Sequence, residues 1–205
     1  MKIIFAVMLV CFSVIFSREA FAKDYAAWAK KNIDGTWTAA AEKAVSASSL
    51  TSSVPIDIVK FCPAYETKSI EERKVFWVGL LSIIARPESN FEADAKYIEK
   101  FNDSKGKRVV SRGLLQISVE SASQKRYSCG LKIAEDLHNP SVNLACGVKI
   151  LDAWVKNDNV IATYGKNPSR GGARYWSTLR EKNNHLQELT SFTRSLSVCA
   201  LAPHS

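Results

Sequence analysis

A nearly unbroken apolar run extends from Val75 to Ala85. It is about half as long as the ~20 residues a membrane span needs, so it predicts a helix buried in a protein core and apolar on most sides. Ser69-Ile70-Glu71-Glu72 precedes it with the capping-box form, Ser as N-cap and Glu three residues later. Arg86-Pro87-Glu88-Ser89-Asn90-Phe91 follows it. Proline removes a helical hydrogen bond, which predicts a break one turn early, just before Glu88. A second helical period runs through Leu144, Val148, Leu151 and Val155. With Asn139 as cap and Pro140 at the first position, it predicts an amphipathic core helix over residues 141–156. Leu186, Leu189, Phe192 and Leu196 form the stripe of a last helix ending near Cys199.

Elsewhere the signals are shorter. Thr38 to Val45 is alanine-rich and favours helix, with Gly35 dividing it from a preceding short one. Trp28 and Trp37 in this region are read as core packing rather than sugar-stacking platforms. Ser46 to Ser53 reads as a Ser/Thr-rich linker, and Pro55 to Pro63 as a short helix closed by proline. Asn102-Asp103-Ser104-Lys105-Gly106-Lys107 is a strong turn signal. The flanking segments 97–101 and 108–110 predict a small hairpin. Residues 167–172 read as a loop, with helix again from Ala173 onward. The fold class is therefore mainly α with one small β-hairpin.

The first residues change the picture. Met1-Lys2, an apolar stretch from Ile3 to Phe16, and an Ala20-Phe21-Ala22 end have the form of a secretory signal. Cleavage after Ala22 would leave residues 23–205 as a soluble periplasmic or secreted chain, with no stable membrane insertion. We divide it into an N-terminal helical extension and linker, 23–54, and a main domain, 55–205. The exported part holds Cys62, Cys129, Cys146 and Cys199. An even count in an exported chain reads as two disulfides with three possible connectivities. The favoured one clips Cys129 to Cys146 locally and ties the domain ends through Cys62–Cys199. No Cys-x-x-Cys pair exists and the three histidines lack ligand spacing, so no metal or other cofactor is expected. The formal net charge of +8 suits an anionic surface. The basic residues are scattered and carry no nucleic-acid reader motif, so nucleic acid is not an expected partner.

The candidate chemistry sits around Glu88. It ends an apolar helix, where burial and the negative end of the helix dipole both disfavour its charged form. Both raise its pKa toward that of a general acid working near neutral pH. About two dozen residues on, Ser111-Arg112-Gly113-Leu114-Leu115-Gln116-Ile117-Ser118 offers a glycine for close backbone approach and an amide for a polar ligand.

Glu88-Ser89-x-Phe91 followed by Gly113-Leu114-Leu115-Gln116-Ile117 resembles the first two motifs of the soluble, goose-lysozyme-like lytic transglycosylases. The resemblance covers roughly residues 70–180 and implies an α+β lysozyme-like fold. It implies Glu88 as the sole catalytic acid/base, with Ser89, Gly113, Leu115 and Gln116 as substrate-binding residues. The family's third motif, Ala-Tyr-Asn, supplies a tyrosine that bonds the catalytic glutamate. Tyr175 after the small-residue loop is preferred for that role over Tyr164, and neither is followed by Asn. The implied reaction cleaves the MurNAc-β-1,4-GlcNAc bond of peptidoglycan glycan strands and closes a 1,6-anhydro ring. By analogy, a cell-envelope secretion or conjugation machine would be a partner. Two alternatives stand beside it. A lysozyme-type hydrolase would need a second carboxylate, for which Asp94 and Asp103 are placed by sequence position. A non-catalytic wall-glycan-binding module would tolerate loss of Glu88.

Overall fold

The computed structural model describes residues 25–201; the signal expected over 1–22 and the Ala22 cleavage point lie outside them. In chain order the elements are α1 (Thr36–Ser46), α2 (Ile58–Phe61), α3 (Ile70–Ser89), β1 (Lys96–Asn102), β2 (Arg108–Arg112), β3 (Ile117–Ser118), α4 (Val119–Ala122), α5 (Pro140–Asp158) and α6 (His185–Ser195). Short 3-10 turns join them. No helix among the described residues is long and apolar enough to cross a membrane.

Helix α3 is the axis of the fold. Ser69 and Glu72 close the expected capping box at its start. Every residue from Phe76 to Ala85 is buried, so the helix is surrounded rather than amphipathic. The expected break before Glu88 does not occur: α3 runs through Pro87 to Ser89. Proline in a helix costs about 3 kcal/mol. Each fully buried apolar side chain returns about 1.5–3 kcal/mol, so the ten-residue buried run holds the helix in register past it. Ser89 supports the end by donating its hydroxyl to the Ala85 carbonyl at 3.1 Å. Asn90, left-handed at φ 52°, then stops the helix with its N–H on Arg86 O.

Of the stretch 23–54, the described residues 25–54 share this core. Trp28 and Val45 are fully buried, and α1 packs on α3 and α5. Ser82 on α3 accepts the Ala27 N–H at 2.7 Å. Residues 46–53 do not run free as a linker; Leu50 is buried and the Ser49 hydroxyl donates to Asp152 on α5 at 2.6 Å. Helix α2 starts at Ile58 rather than at Pro55. Its cap, Asp57, accepts the Ile161 and Ala162 N–H groups at 2.8 and 3.0 Å.

The expected hairpin is present and is extended by a third strand, giving an antiparallel sheet ordered β1-β2-β3. Tyr97 pairs with Ser111, and Ser111 with Ser118. Asp103 pins the turn by accepting the Lys105 and Lys107 N–H groups. Both expected disulfides form, Cys62–Cys199 and Cys129–Cys146. Residues 173–184 are not the expected helix; they pass through 3-10 turns, and α6 begins only at His185. The reason lies at Gly171 and Gly172: Gly171 presses against the Val160 and Ile161 backbone, and Gly172 against the Leu179 and Leu151 side chains, where a Cβ would collide.

Candidate active site

Four pieces of chain meet at one cleft of about 430 Å³. The end of α3 brings Glu88, the sheet brings Glu99 and Ser111, the turn into β3 brings Gln116 and Ser118, and the loop after α5 brings Tyr175 and Arg180. A hollow of similar size, about 420 Å³, lies around Lys60, Tyr164 and Gln187. It lacks any enclosed carboxyl group, so the chemistry points to the first.

Glu88 is the most perturbed carboxyl there. Burial pushes its pKa up to about 7, and the charge of Glu99 adds to the rise. The Thr178 hydroxyl donates to its Oε1 at 3.1 Å and pulls the other way, less strongly. The helix end predicted by sequence thus delivers a carboxyl that keeps its proton near neutrality.

The glycine–glutamine element is a turn held from behind. Gly113 has φ 71°, and a Cβ there would collide with the Leu137 carbonyl and the Asn143 amide. Its close approach is therefore to the scaffold rather than to a ligand. Asn143 on α5 is fully buried and uses its whole side chain: Oδ1 accepts the Leu115 N–H, and Nδ2 donates to Arg112 O and Leu137 O, all at 2.9 Å. Leu115, expected to bind substrate, is fully buried against Gly147 and supports the cleft wall instead. Gln116 does line the cleft, in a strained left-handed conformation at φ 47°. Its Nε2 donates to Gly113 O at 2.9 Å and Ala95 O at 3.3 Å. Those two bonds fix the amide, leaving Oε1 as the atom to meet a polar ligand.

Of the two tyrosine candidates, Tyr175 is in the cleft and Tyr164 is under Lys60, whose ammonium lies 3.5 Å from its ring centre. The hydroxyl of Tyr175 accepts the Ser118 N–H at 3.2 Å. The partner of Glu88 is thus Thr178, and the tyrosine acts on the β3 backbone beside it. Arg174 holds this loop: its Nε and Nη2 reach Asp158 at 2.6 and 3.0 Å, and Asp158 also accepts the Gly171 N–H. Trp176 adds an indole N–H to Leu115 O at 2.9 Å. Ser89 faces its own helix and is not among the residues lining the cleft.

Sequence position misplaced the second carboxylate. Asp94 and Asp103 do not line the cleft, whereas Glu99 and Glu120 do. Glu99 accepts the Ser111 hydroxyl at 2.7 Å across the β1–β2 pair. The predicted hairpin offered a signal that was not used: Ser111 pairs opposite Tyr97, so the only half-buried residue of β1, Glu99, sits on the same sheet face two positions on. Thr178 has no such signal, since it lies in an irregular turn. No cluster of His, Cys, Asp or Glu among the described residues is arranged to hold a metal ion.

Comparison with known proteins agrees with this geometry. The transglycosylase SLT domain matches residues 67–184. The solved structure titled Bd0314 DslA wild-type form 2 is 42% identical, with a TM-score of 0.79, covering 85% of this chain and 97% of that one. Two glutamate-to-glutamine mutants of DslA match at the same 42% identity, with TM-scores of 0.78 and 0.79 and 84% and 85% of this chain covered. No similar protein was found among curated sequences.

Proposed function

The chain belongs to the transglycosylase SLT domain family, whose members act on peptidoglycan, and from that premise we propose that it is a lytic transglycosylase. The observation that carries the reading is Glu88, a carboxyl held protonated to about pH 7 in the cleft it shares with Glu99, Gln116 and Tyr175. Protonated Glu88 donates to the oxygen joining N-acetylmuramic acid to N-acetylglucosamine, and the bond from that oxygen to the muramoyl C1 breaks. The muramoyl C6 hydroxyl oxygen then bonds to C1, and its proton returns to the Glu88 carboxylate. The nucleophile belongs to the substrate, and such an intramolecular attack saves up to about 7–11 kcal/mol of barrier in the best cases. Thr178 Oγ1 steadies Glu88 once it is ionised, because a hydrogen bond to the charged form favours it. Gln116 Oε1 faces the sugar N–H and hydroxyl groups. Two disulfides fit an extracytoplasmic protein, and the leader read over 1–22 would deliver it to the periplasm or outside. Service to an envelope-spanning machine remains an analogy from the family.

Glu99 supports a second reading, hydrolysis. It offers the same cleft a second carboxylate, and a carboxylate pair is what a glycosidase uses to activate water or to trap the sugar cation. The two DslA mutants replace glutamates eleven positions apart, the separation of Glu88 and Glu99 here. Digestion of purified peptidoglycan followed by mass analysis separates the readings. Transglycosylation gives muropeptides lighter by one water with no reducing end, and is retained in Glu99→Gln. Hydrolysis gives reducing ends and is lost in Glu99→Gln. Full wall cleavage by Glu88→Gln would contradict both.

A further inference from the structure

The β1–β2 hairpin carries an exposed surface whose composition the chemistry of the cleft does not explain. From Lys96 to Arg108 it holds five cations, Lys96, Lys100, Lys105, Lys107 and Arg108, against two carboxylates. All five are exposed, and among the described residues none of them forms a salt bridge. The two carboxylates are engaged elsewhere, Glu99 by the Ser111 hydroxyl and Asp103 by the Lys105 and Lys107 N–H groups. Glu120, just beyond the hairpin, accepts the Ser104 N–H at 3.3 Å. Arg108 is tethered by an Nη1 bond to Glu99 O at 3.4 Å. Among these cations Tyr97, Ile98 and Phe101 stand 52, 61 and 60% exposed. Strand β1 is a free edge of the sheet, and among the described elements only β2 makes more than marginal contact with it. Lysines on a free edge guard it against pairing with other strands. Three large apolar side chains on the same edge do the reverse, so guarding alone does not account for the surface.

The two faces of the strand decide what this surface fits. Side chains alternate along a strand. Tyr97 lies opposite Ser111 and Phe101 lines the cleft, whereas Ile98, opposite Val110, is on the reverse face with Lys96. A folded partner covers one face of a strand; a fluid layer of lipid headgroups receives both. We propose that the hairpin docks peripherally on an anionic lipid bilayer, with its cations among the headgroup phosphates and Tyr97, Ile98 and Phe101 at the acyl boundary. Four of the five cations are lysines, flexible point charges that follow mobile headgroups without demanding a fixed fork geometry. Docking of this kind holds the cleft mouth, lined by Glu99 and Phe101, beside the bilayer surface. It needs no catalysis and stands whether or not Glu88 cleaves glycan.

The test is co-sedimentation of the protein, purified after export, with vesicles of phosphatidylcholine alone or mixed with phosphatidylglycerol in equal parts. Each cation at an anionic surface is worth about fivefold in partition. At low salt the mixed vesicles should therefore bind at least about a hundredfold tighter than the neutral ones, and added salt should weaken them. Lys100→Gln, Lys105→Gln and Lys107→Gln together should cost about a hundredfold on the mixed vesicles, while arginine at the same three positions keeps binding. Ile98→Ser leaves the charge unchanged and should cost about tenfold; a thermal melt checks that each variant folds. Equal binding to both kinds of vesicle, or a triple glutamine variant that binds like wild type, overturns the proposal. So does binding that ignores Ile98→Ser and is matched by soluble polyglutamate, which would assign the hairpin to an acidic protein instead.

Discussion

The two long helices end alike and their terminal carboxyls titrate in opposite directions. Helix α3 closes with Glu88, Ser89 and a left-handed Asn90 at φ 52°; α5 closes with Asp158 and a left-handed Asn159 at φ 54°. The negative end of a helix dipole bears on both. Yet Glu88 is pushed up to about 7 and Asp158 is held down to about 2. What differs is the surroundings: burial is the main cause at Glu88, and the Arg174 partner is the main cause at Asp158. Asp158 faces the guanidinium of Arg174 and the Gly171 N–H, whereas Glu88 faces one hydroxyl, from Thr178, and the like charge of Glu99. The local helix end is therefore a neutral starting point. Loop 159–184 decides the matter twice, clasping one carboxyl with charge and enclosing the other almost without it. One end becomes a fastener and the other an acid.

The sharpest way to break the comparison is Glu88→Gln. Removing a positioned acid costs about 10²–10⁴-fold in rate, and we expect the upper part of that range because Glu88 is the one cleft carboxyl that burial keeps protonated to about pH 7. Muropeptide release from purified peptidoglycan measures it, with circular dichroism to confirm the fold. Next is Asp158→Asn, which leaves Arg174 without its anion and frees the Gly171 turn. Discounted for the part-exposed guanidinium, a loss of about 2–3 kcal/mol is expected in denaturant melts. Wall cleavage should fall with it, as Tyr175 and Thr178 lose their support.

The two ends should also respond oppositely to pH. A carboxyl with a raised folded pKa binds its proton more tightly when folded, so its contribution favours the native state below the unfolded pKa. That contribution is lost as pH rises from the usual 4.5 to about 7. Glu88→Gln should therefore be more stable than wild type at pH 8 by up to about 3 kcal/mol, and no more stable at pH 4. Asp158 has the depressed sign: its contribution is present above 3.8 and is lost as pH falls toward about 2. Thermal melts across pH for the two variants check both signs. The smallest effects are on the acid itself. Thr178→Val removes a donor that favours ionised Glu88 and should move the alkaline limb of activity upward, while Glu99→Gln removes a like charge and should move it downward, each by less than about one pH unit.

Much of α3 was legible because its signals are local. The capping box, the buried run and the acid at its end all lie in one stretch from Ser69 to Ser89. The hairpin was legible from its turn residues, and the disulfides from cysteine count and export, although three pairings fitted the count. Pro87 misled because the cost of one missing bond was read without the burial of ten neighbours. Leu115 misled because a motif position says nothing of which way a side chain faces; here it faces Gly147. Thr178 was invisible for a different reason: residues 171–184 have no periodicity, being shaped by Gly171 pressed onto the Val160–Ile161 backbone and by the Asp158–Arg174 pair. Contacts across ninety residues of chain leave no local trace.

The most direct measurement is the titration of Glu88 itself. Carboxyl carbon resonances of glutamate-labelled protein, compared with those of Glu88→Gln, assign one signal to this side chain. A midpoint near pH 7, matched by the fall of wall cleavage at higher pH, is the result expected. A midpoint near the ordinary 4.5 would mean that the carboxyl is ionised at working pH, and the acid role assigned to the end of α3 would be wrong.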